Sequence, residues 1–156
     1  MQGALCVPYP FGFRALTILL MKIKKFIWPI RVYYEDTDAG GVVFHSNYIN
    51  FFERARTEML RAMGCEQDEL TANEGTIFVV RSMQVDYLSP ARFNELLQVS
   101  AEVTLAKKVS LTFEQQIKRG DVVLCTSIIR IACLDAFTMR PKAIPENLLE
   151  LLKNEH

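Results

Sequence analysis

Residues 31–60, RVYYEDTDAGGVVFHSNYINFFERARTEML, decide how the rest of the chain must be arranged. From this stretch onward Tyr48, Phe52, Ala55, Met59 and Met63 recur at steps of four, three, four and four. That spacing lays one apolar stripe along a helix, which must bury the stripe against a large surface. Ser46 or Asn47 offers an N-cap side chain, and Gly64 supplies the C-terminal stop. Immediately before the helix, Asp36, Asp38, Gly40, Gly41 and His45 crowd into ten positions.

Outward from that helix the period changes. Upstream, Phe26–Tyr34 is apolar and aromatic and reads as a first strand, with Pro29 tolerated near its start or at an edge. Glu35–Phe44 reads as a loop broken by Gly40 and Gly41, and Asp68–Asn73 as one further helical turn. After Gly75 the period is two. Ile77, Val79, Met83, Val85 and Tyr87 share one face of a strand that Pro90 ends. Leu97, Val99, Ala101, Val103 and Leu105 alternate with polar residues, as do Val109, Leu111, Phe113 and Ile117. Val122–Cys133 is apolar on both faces and reads as a central strand, joined to its predecessor by a Gly120-Asp121 hairpin. Pro145–Lys153 closes the chain as a short helix. One long helix with five strands is an α+β domain, a curved antiparallel sheet wrapped around the helix. Such a sheet has open edges and an uncovered face, so a homodimer or homotetramer is expected.

Composition narrows the function classes. The 156 residues suit one domain with a real core, and half of them are hydrophobic. Eighteen basic residues balance eighteen acidic ones, so no global field draws in nucleic acid. The four cysteines form no CxxC pair and no zinc-like spacing with the two histidines. Cys125 and Cys133 fall within an apolar strand pattern, as reduced buried thiols do, so the cytoplasm is the expected compartment. The apolar run Ala15–Met21 is too short to span a bilayer, which takes about 20 apolar residues. Residues 1–20 read as a spurious or disordered extension upstream of a start at Met21, with 21–156 as the single domain. The alternative is a docking or membrane-surface segment, which would add peripheral inner-membrane association.

The crowded segment brings together a carboxylate, an imidazole and the N–H groups of a helix start. Water attacking a carbonyl needs a base, a proton-handling partner and an oxyanion donor, which are those three elements. Asp-x-Asp with a single histidine is not a closed ligand set, so no metal is expected. Gly40 and Gly41 form no nucleotide fingerprint and read as a close backbone approach to ligand.

The string YYEDTDAGGVVFHSNYINFFERARTEML, with FVVRSMQVDYLSPAR downstream, resembles the 4-hydroxybenzoyl-CoA thioesterase family. Within that family the match is to the Tol–Pal-associated, YbgC-like acyl-CoA thioesterase branch, and it spans roughly Trp28 to Lys142. The resemblance implies a hotdog fold and hydrolysis of acyl-CoA to a carboxylate and coenzyme A, without a cofactor. It implies a catalytic group at Asp38, His45 and Tyr34, with substrate grooves between subunits. Asp38 would act as base or nucleophile, and His45 would orient the carbonyl or handle the thiol proton. Phe44 stands where a tyrosine is common in this branch, and its backbone N–H is the expected oxyanion donor. Gly41, Arg81 and Arg92 complete the expected substrate contacts, the arginines toward coenzyme A phosphates. Glu53 and Glu58 on the helix are reserve carboxylates. An acyl carrier protein is the alternative acyl donor. The rival functions are a hotdog dehydratase, whose proline- and histidine-rich motif is not found, and a non-catalytic acyl-binding or scaffold subunit.

Overall fold

The stripe on the long helix does what its spacing requires. In the computed structural model, which describes residues 25–153, helix α1 runs His45–Ala62 and buries Tyr48, Phe51, Phe52, Ala55 and Met59. It stops where glycine permits a left-handed turn. Gly64 has φ 82°, its N–H donates to Arg61 O, and the Cys65 N–H donates to Leu60 O, both at 2.9 Å. Those paired bonds are a Schellman ending.

The five strands are β1 (Phe26–Arg31), β2 (Thr76–Tyr87), β3 (Leu96–Ala106), β4 (Ser110–Arg119) and β5 (Val122–Asp135). They form one antiparallel sheet in the order β1-β3-β4-β5-β2. Gly120, with φ 58°, makes the expected tight connection between β4 and β5. Two short helices, α2 (Gln67–Glu74) and α3 (Glu146–Lys153), follow α1 and β5 respectively.

Helix α1 packs chiefly on β1, β3 and β4, so it covers one half of the sheet. Phe51 and Phe52 meet Leu97, Leu111, Phe113 and Ile117 in the core, all at most 1% exposed. Each such side chain contributes about 1.5–3 kcal/mol on burial, which fixes α1 to that half. The α+β class and the five-stranded antiparallel sheet match expectation. A sheet centred on one helix describes the molecule less well, because α3 also buries Leu148 and Leu152 at the β3 side.

Three local expectations need correction. β1 ends at Arg31, and Tyr34–Asp36 forms a 3-10 turn instead of continuing the strand. In β2 the register slips between Val80 and Ser82. Phe78 and Val80 stand opposite Cys133 and Ile131, whereas Met83, Val85 and Tyr87 stand opposite Ile129, Ser127 and Cys125. The bulge at Arg81 therefore flips the parity, and Ile77 and Val79 face the other side. A second slip between Val103 and Leu105 leaves Leu105 47% exposed and brings Ala106 opposite Leu111. A period-two reading cannot register an inserted residue. Residues 1–20, Cys6 and His156 lie outside the described residues.

Candidate active site

The two aspartates of the DTD motif divide sharply. Asp36 is 6% exposed, and its Oδ2 accepts the Tyr33 N–H at 2.8 Å. Its carbonyl accepts the Phe44 N–H at 2.8 Å and the Asn47 Nδ2 at 2.9 Å. Asp36 thus ties the 3-10 turn to the start of α1. Asp38 is exposed, and its Oδ1 accepts the Gly40 N–H at 2.8 Å. Its backbone N–H donates to Val42 O and its carbonyl accepts the Gly41 N–H, closing a tight turn. Gly41 has φ 76° there, a left-handed conformation that favours glycine. A Cβ on Gly40 would come to 3.1 Å from Asp38 Oδ1. The glycines shape the carboxylate's surroundings through the backbone.

The turn is pinned at its base by a Thr37–Val43 bridge, two residues before the helix begins at His45. Asp38 and His45 are therefore the two ends of one short loop, and both are exposed. The helix start corrects two expectations. Its N-cap position is Phe44, which supplies no side-chain cap, and Asn47 reaches back to Asp36 instead of capping. The Phe44 N–H is already bonded to Asp36, so it cannot be the oxyanion donor. The N–H groups of His45 and Ser46 make no hydrogen bond among the described residues. An uncapped helix start with free donors carries partial positive charge and suits a developing anion.

The remaining expected residues fall into two groups. Tyr34 is 77% exposed and stacks on Phe93, with centroids 4.0 Å apart and planes 12° apart. Arg92 lies beside the turn, since Val42 pairs with it in an isolated bridge, and its N–H donates to Glu95 Oε2 at 3.0 Å. Arg81 sits in the β2 bulge, six residues from Tyr87, or roughly 20 Å at the rise of a strand. Within one chain it is not gathered with the others. Phe44 leaves its ring 44% exposed, tilted against His45 at 4.3 Å. Of the reserve carboxylates, Glu58 pairs with Arg61 and Glu53 accepts the Thr57 hydroxyl at 2.7 Å.

Sequence reasoning missed the brace behind this loop. The Tyr87 hydroxyl donates to the His45 carbonyl at 2.9 Å. Its ring meets Tyr48 edge-on at 5.4 Å, and Tyr48 Oη accepts the Ala91 N–H at 2.9 Å. Ala91 O in turn accepts the Val43 N–H at 2.9 Å. Burial pushes both phenols above their ordinary value, with the Ala91 bond partly offsetting it at Tyr48. Both stay protonated at neutral pH, so Tyr87 remains a donor. Read along the chain, these tyrosines were packing residues. The available signal was a hydroxyl-bearing ring just before Pro90, at the end of an apolar strand face.

The arrangement can present a carboxylate, an imidazole and free backbone donors to a small electrophile. No cluster of three or more metal-ligating side chains occurs among the described residues. Nor is any described helix long and apolar enough to cross a membrane. Residues 40–126 match the model of the thioesterase superfamily. The acyl-CoA thioester hydrolase YbgC of Escherichia coli is 44% identical over 134 residues, covering 85% of this chain and 99% of that protein. The acyl-CoA thioesterase YbgC of Haemophilus influenzae is 43% identical over 123 residues, covering 79% of this chain and 90% of the relative. In fold, a 1,4-dihydroxy-2-naphthoyl-CoA thioesterase from Synechocystis superposes with a TM-score of 0.78 at 17% identity, covering 83% of this chain and 96% of that one. With its glycine turn, uncapped helix and five-stranded antiparallel sheet, this chain belongs to the thioesterase superfamily.

Proposed function

We propose that the chain is an acyl-CoA thioesterase: water and acyl-CoA give a carboxylate and free coenzyme A. The observation that carries this reading is the start of α1, where, among the described residues, no side chain caps the helix and the His45 and Ser46 N–H groups have no acceptor. A buildup of negative charge on a thioester oxygen would be met there, and one such donor is worth about 2.7–4 kcal/mol. Relatives 43–44% identical that bear acyl-CoA thioesterase names support the substrate class.

In this reading Asp38 either takes a proton from water or attacks the carbonyl carbon itself. In the second route the C–S bond breaks, an Asp38 acyl anhydride forms, and water then hydrolyses it. His45 contributes its backbone N–H to the oxyanion and its imidazole to the departing thiolate's proton. Tyr34, Phe93 and Arg92 form the rim over which the coenzyme A moiety lies. Acyl carrier protein is the second candidate acyl donor, and the cytoplasm, including the inner-membrane surface, is the working compartment. Subunits pair along the open β2 edge, with the groove between them. Thiol release from a panel of acyl-CoAs tests the reading. Turnover is expected. Tight binding without release would instead make the chain an acyl-binding subunit, and release of an enoyl product from hydroxyacyl substrates would make it a dehydratase.

A further inference from the structure

Phe137 is 90% exposed, yet the turn that carries it is tightly braced. Asp135 Oδ1 accepts the Phe137 N–H at 3.0 Å, the Thr138 N–H at 2.8 Å and the Thr138 hydroxyl at 3.1 Å. The Ala136 N–H donates to Gly75 O at 2.8 Å and the Met139 N–H to Asp135 O at 2.9 Å. The ring lies beside Gly75, where a Cβ would come to 3.5 Å from it. A large ring held in water on an already ordered turn has little freedom left to lose on binding, as an interface anchor requires. Gly75 directly precedes β2, so the anchor stands at the start of that strand.

The strand beside it is apolar and incompletely covered among the described residues. β2 ends the sheet, and α1 packs chiefly on β1, β3 and β4. Opposite the buried Cys133, Ile131, Ile129 and Cys125, the inward side chains Phe78, Val80, Met83 and Tyr87 stay half-buried or exposed. A second copy related by a twofold axis can add its own β2 to this edge, antiparallel and with the same face inward. Pairing β2 along its whole length would set Thr76 opposite Tyr87, Phe78 opposite Val85 and Val80 opposite Met83. Inward side chains then meet inward ones. The inserted Arg81 would face Ser82, so the bulges of the two copies meet at the axis and cancel in register. Asp86 would face Ile77, and no charge faces a like charge. A slip of one residue sets inward side chains against outward ones, and a longer slip shortens the ladder. One step past the ends of this ladder, Gly75 of one copy comes opposite Leu88 of the other. Leu88 is 62% exposed and follows Tyr87, whose hydroxyl holds the His45 carbonyl.

Resting on the thioesterase reading and on pairing at this edge, we propose that Phe137 of one copy packs against Leu88 and Tyr87 of the other and so steadies its neighbour's active-site loop. Two strongly exposed apolar side chains then cover one another. Phe137 is a positioning residue that acts between subunits. It touches no reacting atom, and it confines the ring whose hydroxyl fixes His45.

Within one chain Leu88 and Phe137 lie at opposite ends of β2, roughly 40 Å apart at the rise of a strand. Any link between them therefore joins two copies. A chain carrying Leu88→Cys and Phe137→Cys should give a covalent dimer with a short thiol cross-linker, and neither single variant should. Cys6→Ser and Cys65→Ser in all three chains remove competing thiols. The second arm mixes subunits. Phe137→Ala should lower kcat about tenfold with KM within twofold, and Asp38→Asn should be nearly inactive. A hybrid of these two variants sets an intact Asp38 loop against an intact Phe137 from the other chain, so it should recover about half of the unaltered turnover. An unchanged kcat in Phe137→Ala, a hybrid no faster than Phe137→Ala, or a cysteine pair that does not cross-link overturns the inference and leaves the thioesterase reading standing. No thiol release by the unaltered chain removes that reading, and the cross-link alone then upholds or overturns the placement of Phe137.

Discussion

Exchanging the two aspartates of the DTD motif one at a time separates chemistry from architecture. In Asp38→Asn, the amide oxygen can still accept the Gly40 N–H that Oδ1 accepts at 2.8 Å. The side chain is exposed, so stability should move by less than about 0.5 kcal/mol. The amide is neither a base nor a nucleophile, so turnover should fall about 10²–10⁴-fold. That is a barrier increase of about 2.7–5.4 kcal/mol at 1.36 kcal/mol per tenfold. Asp36→Ala does the reverse. It removes the acceptor of the Tyr33 N–H from a site 6% exposed, at a cost of about 1–3 kcal/mol. Turnover should stay within tenfold, because the bonds to Phe44 and Asn47 use the Asp36 carbonyl, which survives the change. Urea unfolding followed through Trp28, the single tryptophan, measures the first quantity, and thiol release at neutral pH the second. Equal losses of turnover in the two folded variants would refute the division of roles. Near-native turnover in Asp38→Asn would move the carboxylate to Glu53.

Three further outcomes follow from the same geometry. Tyr87→Phe deletes only the hydroxyl that holds the His45 carbonyl; kcat should fall about three- to tenfold with KM within twofold, and an unchanged kcat would reduce Tyr87 to packing. Burial pushes the Cys125 thiol up to about 12 and Cys133 to about 11, against 9.0. From pH 9 to 10 the unfolded chain sheds thiol protons that the folded chain keeps, so the urea midpoint should fall over that interval. Burial lowers Arg56 to about 10, so its opposing effect begins within this interval, but one partly titrated group is outweighed by the two thiols; a midpoint that rises between pH 9 and 10 contradicts the burial of the two thiols. Light scattering of the chain from Met21 onward should give a dimer or tetramer through the open sheet edges, and an active monodisperse monomer would eliminate a groove between subunits.

Local periodicity was enough to place most elements. The helix stripe from Tyr48 to Met59, its glycine stop at Gly64, the Gly120 hairpin and five strands all follow from contacts within a few residues, which composition records directly. The family's long motif also marked the loop that joins Asp38 to His45. What the linear pattern lost depended on partners far along the chain or on a single inserted residue. The bulges at Arg81 and before Leu105 reverse which side chains face inward, and a strand's alternation carries no trace of them. Asp36 and Asp38 are chemically identical, and only the turn, folded back against α1, buries one and exposes the other. The Phe44 N–H is spent because Asp36 O lies opposite it, and the His45 and Ser46 N–H groups have no acceptor among the described residues. Tyr87 meets His45 across 42 residues, and Arg56 meets Gln115 across 59. Sequence alone determined the helix, the strands and the loop that joins Asp38 to His45. The tertiary structure decided which groups in and behind that loop are free to act, because hydrogen-bond partners are assigned by packing and not by order in the chain.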